Sequence, residues 1–177
     1  HILIKVFMLK EVIVKDFFSF KGETKIKLKE GVNLLLGING SGKSSFINCL
    51  RILSEGVLGE GLVKLFQEAW MGFDEIVNCN GEQKKSYVQI TYVFDYKKLN
   101  ALNPASNFNS DVYYTIGIRK SGTSYTLDEK MYTQHQKKTD EDFMYLNFSN
   151  GNGRISTRNS DSSVSFQNYT DGNISGQ

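Results

Sequence analysis

The chain of 177 residues carries a formal net charge of +2, with 40% hydrophobic and 23% charged residues. That length suffices for one domain with its own core, the apolar content is ordinary for a globular protein, and no apolar run approaches the ~20 residues needed to cross a bilayer. Cys49 and Cys79 lie thirty residues apart without cysteine or histidine neighbours, so they make neither a zinc site nor a persuasive disulfide. The opening Ile2-Leu3-Ile4-Lys5-Val6-Phe7 is too short for the apolar region of a signal peptide. A cytoplasmic protein with no membrane partner is expected. A natural start at Met8 would make residues 1–7 a remnant foreign to it. Charge is uneven, nine Lys/Arg against four Asp/Glu in residues 1–51 and twelve against fifteen thereafter. That skew is too mild to argue for DNA binding by itself.

Leu9 to Phe18 is rich in β-branched and aromatic residues and reads as a strand. Phe20-Lys21-Gly22-Glu23 supplies a turn, and Thr24 to Leu28 returns with period-two alternation. Lys25, Lys27 and Lys29 alternate with Ile26 and Leu28, the pattern of a solvated strand face. Glu30-Gly31 then turns the chain into Val32-Asn33-Leu34-Leu35-Leu36, an apolar run of the kind a strand buried on both faces gives.

Gly37-Ile38-Asn39-Gly40-Ser41-Gly42-Lys43-Ser44 follows and fits G-x-x-x-x-G-K-[ST] at every fixed position. Phe46, Cys49, Leu50 and Leu53 recur at helical spacing, so a helix should begin near Gly42 or Lys43. Glycines keep Cβ atoms away from a ligand and open conformations closed to other residues. Backbone N–H groups can then point at phosphate oxygens, helped by the positive end of the helix. Lys43 is expected to reach the β- and γ-phosphates, and Ser44 to place its hydroxyl on Mg²⁺. The chain should bind nucleoside phosphates.

Gly56, Gly59 and Gly61 interrupt regular structure, after which Leu62, Leu65, Phe66 and Ala69 fit a short amphipathic helix ending near Trp70. Trp70, Met71 and Phe73 read as core or domain seam rather than as a partner-facing cluster. Tyr87 to Asp95 alternates strictly, Val112, Tyr114, Ile116 and Ile118 repeat the pattern, and Lys120-Ser121-Gly122-Thr123 is a hairpin turn leading to Tyr125 and Leu127. This is an antiparallel β-layer, with Pro104 in a loop between its first two strands. From Thr133 the composition turns polar, with apolar islands at 143–148 and 164–166. That segment reads either as a flexible insertion or as short edge strands with long turns.

Lys15-Asp16-Phe17-Phe18-Ser19-Phe20, an alternating strand, and then Gly31 to Ser45 together resemble the amino-terminal lobe of ABC-type ATPase heads. The nearest branch is the SMC/RecF-like ATPases and related bacterial AAA-family ATPases of the overcoming-lysogenisation-defect type. Residues 88–127 also look like that family's antiparallel subdomain. The resemblance implies an α/β P-loop NTPase fold of ABC-ATPase type, a mixed sheet with an antiparallel β subdomain, of which this is the N-terminal part. Residues 8–130 would form the ATP-binding lobe and 131–177 a polar extension or insertion. It implies ATP and Mg²⁺ held by Gly37, Asn39, Gly40, Ser41, Gly42, Lys43, Ser44 and Ser45, with Lys43 as the catalytic residue and Ser44 at the metal. It also implies a head-to-head homodimer, a C-terminal lobe of the same protein, and DNA as a partner. Phe18 or Phe20 would lie near the adenine or pack in the β-layer.

Some family elements are not visible. Tyr92-Val93-Phe94-Asp95 alternates like an antiparallel strand and lacks the Asp-Glu ending of a Walker B strand, while Asp128-Glu129 lacks the apolar run. Ile174-Ser175-Gly176-Gln177 echoes the signature motif one glycine short, and Gln177 could instead be the Q-loop glutamine. His135 reads as solvated. A transporter ATPase subunit and a non-catalytic, nucleotide-dependent interaction module are the alternative readings; a GTPase is disfavoured because no Asn-Lys-x-Asp is present. On the SMC/RecF-like reading, ATP binding without efficient turnover is expected of this chain alone.

Overall fold

Strict apolar–polar alternation gives each strand one face that must be covered, and that requirement builds the molecule. The computed structural model describes residues 2–6, 8–57, 65, 70, 72–78, 85–103, 105–134, 143–158, 163–170 and 173–176. In chain order the first elements are β1 (Ile2–Val6), β2 (Leu9–Lys15), β3 (Glu23–Lys27), β4 (Gly31–Leu35), helix α1 (Lys43–Arg51) and a π-helical continuation, Ile52–Val57. Then follow α2 (Phe73–Ile76), β5 (Tyr87–Phe94), α3 (Tyr96–Leu102), β6 (Val112–Ser121) and β7 (Ser124–Thr133). The last strands are β8 (Phe143–Ser149), β9 (Asn152–Arg158), β10 (Val164–Thr170) and β11 (Asn173–Gly176).

One sheet runs in the order β11-β10-β9-β8-β7-β6-β5-β2-β3, and β1 pairs separately with β4. Every described ladder is antiparallel, so the expected mixed sheet is corrected to an antiparallel one. The reason is connectivity: most neighbours are joined by short turns, and parallel pairing needs a crossover of a dozen or more residues. Helices packed on this sheet keep the fold in the α/β class.

The core lies on one sheet face. Val12 and Val14 of β2, Val88, Ile90 and Tyr92 of β5, and Ile116 and Ile118 of β6 meet Phe46, Cys49 and Ile52 from the helix. Trp70 and Phe73 are buried in the same cluster, Trp70 edge-on to Phe17 at 6.0 Å and to Phe18 at 5.6 Å. They are core, as the sequence suggested; Met71 and most of the short helix expected before Trp70 lie outside the described residues. So do Cys79, Pro104, His135 and Gln177.

Two expectations change, and of one pair of open alternatives the structure holds one. The first strand stops at Lys15, because Asp16 and Phe18 take left-handed backbone angles, φ 54° and 48°. The Gly22 N–H donates to the Asp16 carboxylate (2.9 Å), and the Asn78 side-chain amide donates to the Phe18 carbonyl (2.6 Å), so a compact loop replaces the end of the strand. Second, β4 is not buried on both faces: Val32 is 58%, Leu34 54% and Leu36 62% exposed. No described element covers that side, and an apolar run cannot itself report whether a covering layer is present. The polar segment after Thr133 is organised: its described parts are the strands β8 to β11, the edge-strand alternative of the two.

Helix and sheet are also joined by a polar contact. The hydroxyl of Tyr92, fully buried, donates to the Cys49 carbonyl at 2.5 Å, where α1 passes into the π-helical segment. Ser54 Oγ donates to the neighbouring Leu50 carbonyl at 3.1 Å. A change of helical register disturbs the usual pairing of carbonyls, and these hydroxyls satisfy two of them. Tyr92→Phe leaves the Cys49 carbonyl buried without that donor. It should lower stability by about 1–3 kcal/mol, read as a lower urea midpoint with an unchanged denaturant slope.

Candidate functional site

The segment between β4 and α1 turns back on itself. Gly42 sits at φ 91° immediately before the helix, a left-handed conformation that costs a side-chain-bearing residue roughly 1–2 kcal/mol. A Cβ there would also lie 3.2 Å from Ser19 Oγ and 3.4 Å from the Phe20 ring. At Gly37 a Cβ would collide with Ser41 Oγ. Gly42 is therefore required by its backbone angle, a reason the sequence pattern anticipated, and a side chain at Gly37 would displace the Ser41 hydroxyl.

Lys43, the first helical residue, folds over the loop. Its Nζ donates to the Gly37 carbonyl (2.7 Å), the Ile38 carbonyl (2.7 Å) and Ser41 Oγ (3.3 Å). The Ser41 N–H donates to the Ile38 carbonyl at 3.2 Å, closing a turn, and the Phe46 N–H reaches the Gly42 carbonyl at 2.9 Å. Gly37, Asn39, Gly40, Ser41 and Ser44 are exposed, so the expected ligand-holding residues other than Ser45 line one open surface at the helix N-terminus. Nothing acidic occupies the first turn of α1. The positive end of the helix is thus not offset by a carboxylate of its own first turn.

Ser45 stands apart from that group. It is buried, and its hydroxyl pairs with Ser19 Oγ at 2.7 Å, with the Ser19 N–H 3.4 Å away. Its side chain faces the 16–22 loop. Phe18 packs edge-on to Phe17 at 4.6 Å and against Trp70, and Phe20 packs on the core beside Gly42. The packing alternative for these phenylalanines is the one the structure holds.

The carboxylates considered for metal work have other duties. Asp95 caps α3, accepting from the Lys97 N–H (2.9 Å) and Lys98 N–H (3.2 Å), at the end of an antiparallel strand. Ser149 Oγ donates to Asp128 at 2.6 Å, and the Tyr114 hydroxyl donates to Glu129. Among the described residues no group of three or more His, Cys, Asp or Glu is placed to hold a metal ion. What does fit a phosphate-bound Mg²⁺ is the chemistry of the exposed Ser44 hydroxyl, a neutral oxygen donor next to Lys43 at the start of α1.

With this geometry in view, comparison with known proteins is informative. Residues 8–172 match the AAA ATPase domain family. The chain belongs to that family. The chain is also 32% identical over 87 residues to the chromosome partition protein Smc of Methanococcus voltae, covering 49% of this chain and 7% of the relative. It is 26% identical over 120 residues to the structural maintenance of chromosomes protein 3 homolog of Plasmodium falciparum, 61% of this chain and 10% of the relative. It is 44% identical over 48 residues to the DNA replication and repair protein RecF of Caldanaerobacter subterraneus, 27% of this chain and 13% of the relative. The resemblance to SMC/RecF-like ATPases read from residues 15–45 is borne out. The chain spans about a tenth of the length of these relatives. Membership of the AAA ATPase domain family carries nucleotide binding and ATP use. No described helix of this ATPase domain is long and apolar enough to cross a membrane.

Sequence reasoning missed the supports of the loop: Asp16, Ser19, Asn78 and Tyr92. Their partners lie 26 to 60 positions away for the Ser19–Ser45, Asn78–Phe18 and Tyr92–Cys49 contacts, a separation no local pattern reports.

Gly42→Ala should destabilise the domain by about 1–2 kcal/mol from backbone strain, seen as a lowered midpoint in chemical denaturation. Burial pushes the Cys49 thiol well above the usual range. Cys49 should therefore resist alkylation by iodoacetamide at pH 8 in the folded protein and react once denaturant is added.

Proposed function

We propose that Gly37 to Ser44 is the phosphate-binding loop of an ATP site, and that the chain is the N-terminal portion of an SMC/RecF-like ATPase acting in DNA maintenance or defence. The observation that carries this reading is the position of Lys43. Its ammonium group is held inside the loop by the Gly37 and Ile38 carbonyls, where an anion would exchange for them. Those carbonyls are weaker partners for a cation than phosphate oxygens, so bound nucleotide draws Nζ from them toward the β- and γ-phosphates. The N–H groups of the first helical turn, lacking partners within the helix, face the same ligand.

Ser44 would hold Mg²⁺ through its hydroxyl, and the ion would supply neutralisation of phosphate charge. Ser45 keeps its bond to Ser19 and so positions α1. Lys43 would act as a catalytic residue, by stabilising charge on the transferred phosphoryl group. Turnover also needs a group that orients water. That group is assigned to the C-terminal lobe of the full-length protein and to a second head across a dimer.

The reading is tested by ATP and GTP binding with and without Mg²⁺, alongside Lys43→Ala and a phosphate-release assay. Expected are Mg²⁺-dependent ATP binding, a loss of affinity of about tenfold or more in the variant, and negligible phosphate release. Steady release by this chain alone would overturn the assignment of the water-orienting group elsewhere. Binding unchanged by Lys43→Ala would remove the loop from the site.

A further inference from the structure

The core occupies one face of the large sheet, and the opposite face carries different chemistry. Directly paired residues in an antiparallel ladder share a face, so the register can be followed across strands. One row runs Lys25, Ile13, Thr91, Thr115 and Lys130 over β3, β2, β5, β6 and β7, and continues through Asn147 to Arg154 on β9. Flanking rows on the same face add Lys15 opposite Gln89, Lys27 opposite Glu11, and Tyr113 opposite Tyr132.

At its centre this face is hollowed into a cleft of about 300 Å³. Gln89, Thr115 and Lys130 line it, and Tyr87 and Tyr132 line it too. The ring of Tyr87 lies over Gly117, where any Cβ would overlap it, and carries the Arg119 guanidinium at 4.6 Å from its centroid. Tyr132 is braced by a stacked Tyr113, with centroids 5.2 Å apart. Two braced aromatic residues thus flank a polar cleft that holds both a cation, Lys130, and a carboxylate, Asp128.

The charges on the face favour an anion. Lys15, Lys27 and Lys130 are exposed and have no ion-pair partner among the described residues; Lys25 has only Glu23, at 3.5 Å with both groups more than half exposed. The opposing charges are Glu11, Glu23 and Asp128. Asp128 is already engaged by Ser149 and lies 4.0 Å from Arg119. Lys25 and Lys130 are separated by four strand spacings, about 19 Å at ~4.8 Å each. Cations at both ends of that span, with Lys15 and Lys27 on the strands beside or carrying Lys25, match an extended polyanion better than a single small one.

We propose that this outer sheet face is a binding surface for single-stranded nucleic acid, with phosphates at the lysines of its two sides, Lys15, Lys25 and Lys27 on one and Lys130 on the other, and one base lodged in the cleft between Tyr87 and Tyr132. A single strand is favoured over a duplex because a base can enter the cleft only when it is out of its stack. The proposal deepens the DNA-linked reading above, but it uses none of the residues of the Gly37–Ser44 loop.

The test is fluorescence anisotropy with a labelled oligothymidylate across a salt series, using the full 177-residue chain. Expected is salt-dependent binding whose log–log slope falls by about 0.7 in Lys130→Ala, the loss of one phosphate contact. The combined variant K15E/K25E/K130E should bind at least about tenfold more weakly while its Mg²⁺–ATP affinity stays unchanged. Unchanged oligonucleotide affinity in that variant overturns the proposal. So does equal affinity for the corresponding duplex, or full displacement of the strand by micromolar thymidine monophosphate, which would make the cleft a small-anion site. Oligonucleotide binding that persists when wild-type protein fails to bind ATP would sink the nucleotide reading and leave this one standing.

Discussion

The candidate site depends on the docking of one short helix. Nine residues of α1 would be a marginal helix in isolation. What holds it is the burial of Phe46, Cys49 and Ile52 on the sheet, together with the Tyr92 hydroxyl on the Cys49 carbonyl. The apolar contact is non-directional and could tolerate a sliding helix. The hydrogen bond is directional and fixes how far along the strand the helix sits. Once that distance is set, the N-terminal turn and the preceding glycines have a defined place relative to β4. The same bond lies where α-helical pairing gives way to π-helical pairing, so a disturbance of register is located at the end of the helix far from the loop.

A second constraint acts from the other side. The 16–22 loop is held by the Asp16 carboxylate and by Asn78, and it presents Ser19 to Ser45 and Phe20 to Gly42. Sheet and loop therefore grip α1 from its two ends. Electrostatics favour the result: the loop-facing end of the helix has no acidic residue, while Arg51 and Glu55 pair at its far end at 2.9 Å. That exposed pair contributes little to stability.

Much of this was legible in the residues. The glycine–lysine–serine spacing located both the turn and the start of α1, because those positions need particular residue types locally. The alternation at Tyr87–Phe94 and at Val112–Ile118 located β5 and β6 for the same reason. What escaped was set by distant partners or by missing neighbours. Phe17 and Phe18 have strand-forming side chains, yet hydrogen bonds from Gly22 and Asn78 draw them into a loop. Val32, Leu34 and Leu36 are apolar whether or not a layer covers them. The tail offered a local signal that composition masked: Asn150 and Gly151 both adopt positive φ, 49° and 80°, as a tight β-hairpin turn requires, and they join β8 to β9.

The strand order has a consequence for how the chain reaches this state. From β5 to β9 each strand pairs with its neighbour in sequence, so that part of the ladder can zip up through short, fast closures. β2 instead joins β5, with Val12 opposite Tyr92 across 80 positions. Closing so long a loop is entropically slow, and α1 has no surface to dock on until it happens. During synthesis from the N-terminus, the glycine loop and its helix leave the ribosome well before the strands that shape them. Their apolar face is open for that interval, and the domain is most vulnerable to self-association then.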